Sequence, residues 1–357
     1  MCFAKLITDM KDIQLYDYQR EMSERIEAAF RSHQSVMVQM PTGTGKTVLL
    51  VEQVKSEERR VKNPDGEKSE KIKGKNPCVW IVVHRRELVE QIEETLAKQL
   101  DSSLFTFPSS LIKVFSIQWL SRHYHELQEM PSLIIIDEAH HAVARTYKEV
   151  MDAYPEAKKL GLTATPCRLN RKGFTDLFDV LLQSWSYNKF IADGWLSLYD
   201  YMSVKADSLD QQMVFGLTKR GADGDFSLRE MSEKLDVRPS IERLCDTVMR
   251  YAPDKKGIVY AIDIKHAEHI AEYYRERGLN AVAISSKTPV EERKYIIERF
   301  RNSSDSLKNT NCQVLDSPIR ILVNVDLFGE GIDCPDVEFI QLARPTLSLS
   351  KYYPSSG

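Results

Sequence analysis

Two rhythms of hydrophobic positions alternate along the chain. Short unbroken aliphatic runs, "SVMVQM" (35–40), "CVWIVV" (78–83), "LIKVFS" (111–116), "SLIIID" (132–137) and "KKLGLTA" (158–164), are too short for helices and carry no polar alternation. Between them lie stretches whose apolar residues recur every three to four positions, such as "DYQREMSERIEAAF" (17–30) and "RELVEQIEETLAKQL" (86–100). The second half repeats the scheme. "KGIVYA", "NAVAIS", "IRILVNV" and "VEFIQLA" predict strands, and "HAEHIAEYYRERG" and "VEERKYIIERF" predict helices. Strands that are aliphatic throughout must bury both faces, so the pattern predicts an α/β fold with mostly parallel sheets covered by helices on either side.

Two segments break the rhythm. Residues 55–77, "KSEERRVKNPDGEKSEKIKGKNP", are rich in charge, carry Pro and Gly and have almost no apolar content, which predicts a solvated loop insertion, and residues 302–318 read as a second polar loop. Between residues 196 and 250 the alternation weakens, so that stretch is expected to connect two domains, 1–195 and 251–357. A length of 357 residues suits two such units.

Composition narrows the class. A hydrophobic share of 42% with 28% charged residues is that of an ordinary soluble protein. No run approaches membrane-spanning length, and the N-terminus lacks a signal-peptide pattern. The six cysteines are scattered with no CxxC pair, which argues against a zinc ribbon or a disulfide framework and for a reducing, cytoplasmic setting. A net charge of −3 leaves nucleic acid open, but only through a local basic groove.

The candidate chemistry lies at the ends of the predicted strands. "MPTGTGKT" (40–47) follows one strand and opens a helix, the setting of a phosphate-binding loop. Gly43 and Gly45 let backbone amides turn toward phosphate oxygens, and the helix start adds its positive end. Lys46 is expected to reach the β- and γ-phosphates and the Thr47 hydroxyl to join a Mg2+ shell; Thr42 and Thr44 lie in the same loop. Met40 stands where the general pattern has a small residue. A second strand ends in Asp137-Glu138, with His140 and His141 just beyond. Asp137 is expected to hold Mg2+, usually through water, and Glu138 to orient and deprotonate an attacking water. Zinc fits poorly, because HExxH spacing and a third soft ligand are missing.

In this order "PTGTGKT", "DEAH" and "GLTATP" resemble motifs I, II and III of superfamily 2 helicases and translocases. The resemblance implies two RecA-like P-loop domains, with ATP and Mg2+ in the cleft between them and a nucleic-acid strand running across both. By the same resemblance, "LYDYQ" is similar to the adenine-reading motif, with Gln19 on the adenine edge and Tyr16 or Tyr18 nearby. "HRRELVEQ" and "SIQWL" resemble motifs Ia and Ib, which makes Arg85, Arg86, Gln91 and Gln118 nucleic-acid contacts. Thr163 and Thr165 would couple nucleotide state to the nucleic-acid side. "NVDLFGEGIDCPDVEFIQLARPT" resembles motif V, which puts Gly331 and Asp333 (with Gly329 and Glu330) on the nucleotide, and "IVYAIDIKHAEHI" resembles motif IV.

Overall, the chain looks most like bacterial proteins of the RadD and restriction-motor type, which implies DNA rather than RNA as partner. The family's motif VI, Gln-x-x-Gly-Arg-x-x-Arg, is expected after "RPTLSLSKY", where this sequence reads "YPSSG". The second domain is therefore expected to be incomplete. The resulting expectation is an ATP-dependent DNA helicase or translocase. An RNA-directed helicase and a hydrolysis-deficient ATP-dependent clamp stand as alternatives; a metabolic P-loop kinase would leave "TATP" and "GEGID" unexplained.

Overall fold

The computed structural model describes residues 15–62, 78–84, 87–100, 112–141, 145–164, 177–203, 205, 208–221, 224–302, 318–325, 327, 334 and 336–347. The chain divides into two compact units, Met1–Leu198 and Tyr199–Gly357.

The first unit is built on six strands: β1 (Ser35–Gln39), β2 (Cys78–Val83), β3 (Ile112–Ser116), β4 (Pro131–Ile136), β5 (Lys158–Thr163) and β6 (Val180–Gln183). They form one sheet in the order β3-β2-β4-β5-β1-β6, and every pairing is parallel. Side chains alternate between the two faces because a strand has a period of two. Val36 and Val38 of β1, Val79, Ile81 and Val83 of β2, and Leu133 and Ile135 of β4 enter one core. Met37, Trp80, Val82, Ile134 and Ile136 enter the other.

Helices α1 (Asp17–Ala29), α2 (Lys46–Lys62) and α3 (Glu87–Leu100) supply the first core through Met22, Ile26, Leu50, Val54, Ile92 and Leu96. Helices α4 (Ile117–His123) and α5 (Arg145–Ala153) supply the second through Leu120, Tyr147 and Val150. Each fully buried aliphatic chain contributes roughly 1.5–3 kcal/mol, so burial on both faces strongly favours the covered sheet. A short helix, α6 (Tyr187–Ala192), follows β6 and buries Phe190.

The second unit begins with three helices, α7 (Leu209–Phe215), α8 (Leu228–Leu235) and α9 (Arg238–Tyr251). These occupy much of the stretch whose rhythm weakens in the sequence. Its sheet contains β7 (Gly257–Tyr260), β8 (Ala281–Ile284), β9 (Ile321–Asn324) and β10 (Phe339–Leu342), in the order β10-β7-β9-β8 and parallel throughout. Helix α10 (Ile264–Glu276) packs with α9 on one face, and α11 (Val290–Arg301) covers the other. This is the expected α/β class with parallel sheets in both halves. No helix among the described residues is long and apolar enough to cross a membrane.

Candidate functional site

Parallel strands deliver their C-terminal ends to one edge of a sheet, and three such ends in the first unit carry the candidate chemistry. After β1 the chain is fastened before it turns: Met40 is fully buried and its N–H donates to the Thr163 carbonyl at the end of β5 (2.9 Å). The Thr44 hydroxyl donates to the Pro41 carbonyl at 2.6 Å, closing the loop on itself. Gly43 and Gly45 have φ of 80° and 83°, the left-handed region that glycine enters without strain. Lys46 then opens the 17-residue α2, and Thr47 is exposed in its first turn. Because Val54, Glu57 and Glu58 continue its buried face, α2 runs to Lys62, so residues 55–62 of the expected loop are helical and 63–77 lie outside the described residues.

The β4 end lies alongside. Asp137 continues the ladder by donating its N–H to the Val82 carbonyl at 3.0 Å. Asp137 Oδ1 accepts the N–H of Glu138 at 3.0 Å, and Glu138 sits at φ 47°, a left-handed conformation costly for a non-glycine residue. That turn aims Glu138 at the loop: its Oε1 lies 3.7 Å from Lys46 Nζ, and both side chains are nearly buried, at 13% and 10% exposure. His140 follows in a single 3-10 turn, Ala139–His141, anchored by buried Ala139. Its Nδ1 is 3.3 Å from Glu138 Oε2 and 3.2 Å from the Thr163 hydroxyl.

Gln19 braces the loop from behind. Its Nε2 donates to the Thr44 carbonyl (3.1 Å), its Oε1 accepts from the Tyr16 N–H (3.1 Å), and only 2% of the residue is exposed. The Tyr18 hydroxyl donates to the same carbonyl at 3.2 Å; burial, helped by neighbouring Tyr16, raises its pKa, which keeps it a donor. An ideal Cβ on Gly45 would collide with Gln19 Nε2, so the glycine is needed for close approach as well as for φ. Tyr18 is ringed by Trp185, Phe190 and Trp195, and Tyr16 lies 4.4 Å from Trp195 between ring centroids. No linear signal marks Trp195 as a neighbour of this loop, because sequence spacing carries nothing about contacts between α1 and the end of the unit.

The other expected contacts distribute as follows. Gln118, exposed on α4, donates Nε2 to the His84 carbonyl at 2.6 Å, tying α4 to the end of β2. Gln91 lies on α3, but its side chain is outside the described residues, as are Arg85, Arg86, Thr165, Gly331 and Asp333.

The donor set suits a polyphosphate with a hard divalent cation. It combines two left-handed glycines at a helix start, an ammonium from the next residue, and a carboxylate pair on the adjoining strand end. Among the described residues no group of three or more His, Cys, Asp and Glu is arranged to hold a metal unaided.

Comparison with known proteins points the same way. The model of the type III restriction enzyme res subunit matches residues 12–168, and that of the helicase conserved C-terminal domain matches residues 239–357. A "51.5 kDa protein" of a Lactococcus phage is 28% identical over 320 residues, 90% of this chain and 61% of that one. The DNA 3'-5' translocase XPB2 of Sulfurisphaera tokodaii is 24% identical over 365 residues, 91% of this chain and 73% of that one. The chain thus spans about three fifths of the phage relative's length. Among solved structures, the ATP-dependent Type ISP restriction-modification enzyme LlaBIII bound to DNA superposes with a TM-score of 0.60 at 16% identity, over 94% of this chain and 26% of that one, a likeness of fold. With helicase modules matched in both halves, the chain belongs to the superfamily 2 helicases and translocases.

Proposed function

We propose that this chain is the motor of an ATP-dependent DNA translocase or helicase, in which Mg-ATP hydrolysis in the first unit drives movement along nucleic acid. The observation that carries the reading is the approach of Lys46 to Glu138 across the β1 and β4 ends, beneath a loop whose two glycines hold left-handed turns. Helicase domains imply ATP use. In this reading the amides of residues 43–47 and the Lys46 ammonium hold the β- and γ-phosphates. Asp137 and the Thr47 hydroxyl hold Mg2+, which when bound neutralises charge on the phosphates.

Glu138 then accepts the proton of the attacking water. Lys46 and His140 on either side keep its carboxylate aimed, and Thr163 relays the state of this edge through His140 to the end of β5. Gln19 and Tyr18 fix the loop backbone rather than leaving it to order on binding. The family resemblance assigns Gln118, with Arg85, Arg86 and Gln91, to the nucleic-acid backbone, Thr165 to coupling, and Gly331 and Asp333 to the nucleotide. The translocase and DNA-bound restriction enzyme among the similar proteins favour DNA over RNA. Buried free Cys78, Cys245 and Cys334 suit a reducing compartment such as the cytoplasm.

The test is ATP hydrolysis measured alone, with single-stranded DNA and with RNA of equal length across a salt series. The expected result is stimulation by DNA that falls steeply with salt, because phosphate contacts dominate. Equal rates with and without polymer would overturn the motor reading, and stimulation by RNA alone would overturn the DNA assignment.

A further inference from the structure

Rings on β3 and α4 form a column unconnected with the nucleotide site. Phe115 and Trp119 are parallel within 4°, with centroids 5.3 Å apart. Trp119 and His123 continue the stack at 4.5 Å and 14°. The spacing of four residues puts Trp119 and His123 on one stripe of α4, and Phe115 at the end of β3 lies beneath it. That inner end is fixed: Phe115 meets the edge of fully buried Trp80 at 5.4 Å. The outer end is held too. A carbonyl can only accept, so His123 Nδ1–H donates to the Trp119 carbonyl at 2.8 Å, locking the imidazole against the indole.

A column built only for packing would bury its middle ring, yet Trp119 is 44% exposed while Trp80 is not exposed at all. The helix that presents it carries no acidic residue, has Arg122 and His123 in its last turn, and carries in its first turn Gln118, the residue assigned above to the nucleic-acid backbone. Glu126 is the nearest exposed carboxylate along the chain, and Lys113 is already paired with Glu129 at 2.5 Å.

We propose that the column ends in a stacking platform for an unpaired nucleobase, the outer face of His123 backed by Trp119, so that the first unit grips single-stranded nucleic acid by a base as well as by phosphates. The inference rests on the nucleic-acid reading above and deepens it. A backbone contact is blind to base and strandedness, whereas a preordered aromatic face takes any base of a single strand and none inside a duplex. The ligand class is therefore an unpaired strand of either sugar, with preference by stacking strength rather than by sequence.

The test compares binding of a 20-nucleotide oligothymidylate with an abasic strand of the same length and charge, by fluorescence anisotropy, using the full chain. The wild type is expected to bind the base-bearing strand roughly tenfold more tightly, in line with one stacked base. His123→Ala should abolish that preference with little change in affinity for the abasic strand or in its salt slope. Trp119→Phe, which keeps a ring behind His123, should retain most of the preference, and Trp119→Ala should reduce it partway. Equal binding of both strands by the wild type, a preference that survives His123→Ala, or a loss as complete in Trp119→Phe as in His123→Ala overturns the platform. A wild type that binds neither strand overturns the nucleic-acid reading beneath it.

Discussion

His140 Nδ1 stands 3.2 Å from the Thr163 hydroxyl and 3.3 Å from Glu138 Oε2, so a single ring nitrogen joins the loop after β4 to the end of β5. Thr163 also returns to the phosphate-binding loop, since its carbonyl accepts the Met40 N–H. Any displacement of Glu138 is thereby felt at two other strand ends. Thr163→Ala keeps the carbonyl and removes the hydroxyl. We expect polymer-stimulated turnover to fall about tenfold while nucleotide affinity stays within about threefold, as befits a lost hydrogen bond that matters in the cycle more than in binding. Steady-state kinetics paired with equilibrium nucleotide titration checks this; equal losses in both would assign Thr163 to binding.

Gln19 offers the converse test. Its amide is spent on Thr44 and Tyr16, so Gln19→Ala frees the loop carbonyl from one of its two side-chain donors and opens space beside Gly45. The expected outcome is an ATP affinity lower by about five- to tenfold, the size of one buried hydrogen bond. If selectivity for adenine over guanine changes more than affinity itself, the side chain reads the base rather than bracing the loop.

Gly161 in β5 has no room for a methyl group. An ideal Cβ there would lie 2.5 Å from a ring carbon of Phe178 and 2.9 Å from the Cβ of Ala139, the residue that seats the His140 turn. Gly161→Ala is expected to destabilise the first unit by about 1–3 kcal/mol through overpacking. It should also weaken hydrolysis by shifting Ala139. Thermal melting read alongside turnover measures both, and an unchanged melting temperature would show that the site yields without strain.

Acid sensitivity is expected in the second unit, at Glu230. Its carboxylate accepts from Lys234 Nζ at 2.9 Å and from the N–H groups of Lys219 (2.8 Å) and Thr218 (3.0 Å). Led by the Lys234 contact, these hold its pKa down to about 2. A depressed folded-state pKa stabilises fully above the unfolded value, about 4.3, and the contribution is lost as pH falls from there toward 2. Glu230→Gln should therefore melt below the wild type at neutral pH, with the gap narrowing between pH 4 and pH 2. A gap of constant size across that range would mean the charge is immaterial.

How much of this was legible in the sequence follows from where burial acts. β2 and β4 read plainly because every residue from Cys78 to Val83 and from Pro131 to Ile136 is buried, leaving unbroken aliphatic runs. β6 did not, because "VLLQ" at the sheet edge is only partly buried and resembles any short apolar stretch. The loop at 40–47 and the Asp137-Glu138 pair were visible because phosphate binding needs particular residues at fixed spacing just past a strand. Two features had no such signature. The bracing role of Gln19 depends on α1 packing across the loop, and the left-handed turn at Glu138 places no glycine in the sequence to betray it. The ring column was half visible: the spacing of Trp119 and His123 is helical, but Phe115 belongs to the preceding strand, and only the orientation of the rings separates a stack from a core stripe.

Glu138→Gln tests the central claim most directly, because it keeps the shape of the side chain while removing its basicity. Nucleotide affinity and DNA-stimulated hydrolysis are measured on the same preparation. The account predicts binding within a few-fold of wild type and turnover lower by at least about a hundredfold, the usual loss for a general base. Turnover that persists at the wild-type rate would mean that the carboxylate beside Lys46 does not activate water, and the assignment of this strand edge as the hydrolytic site would fall.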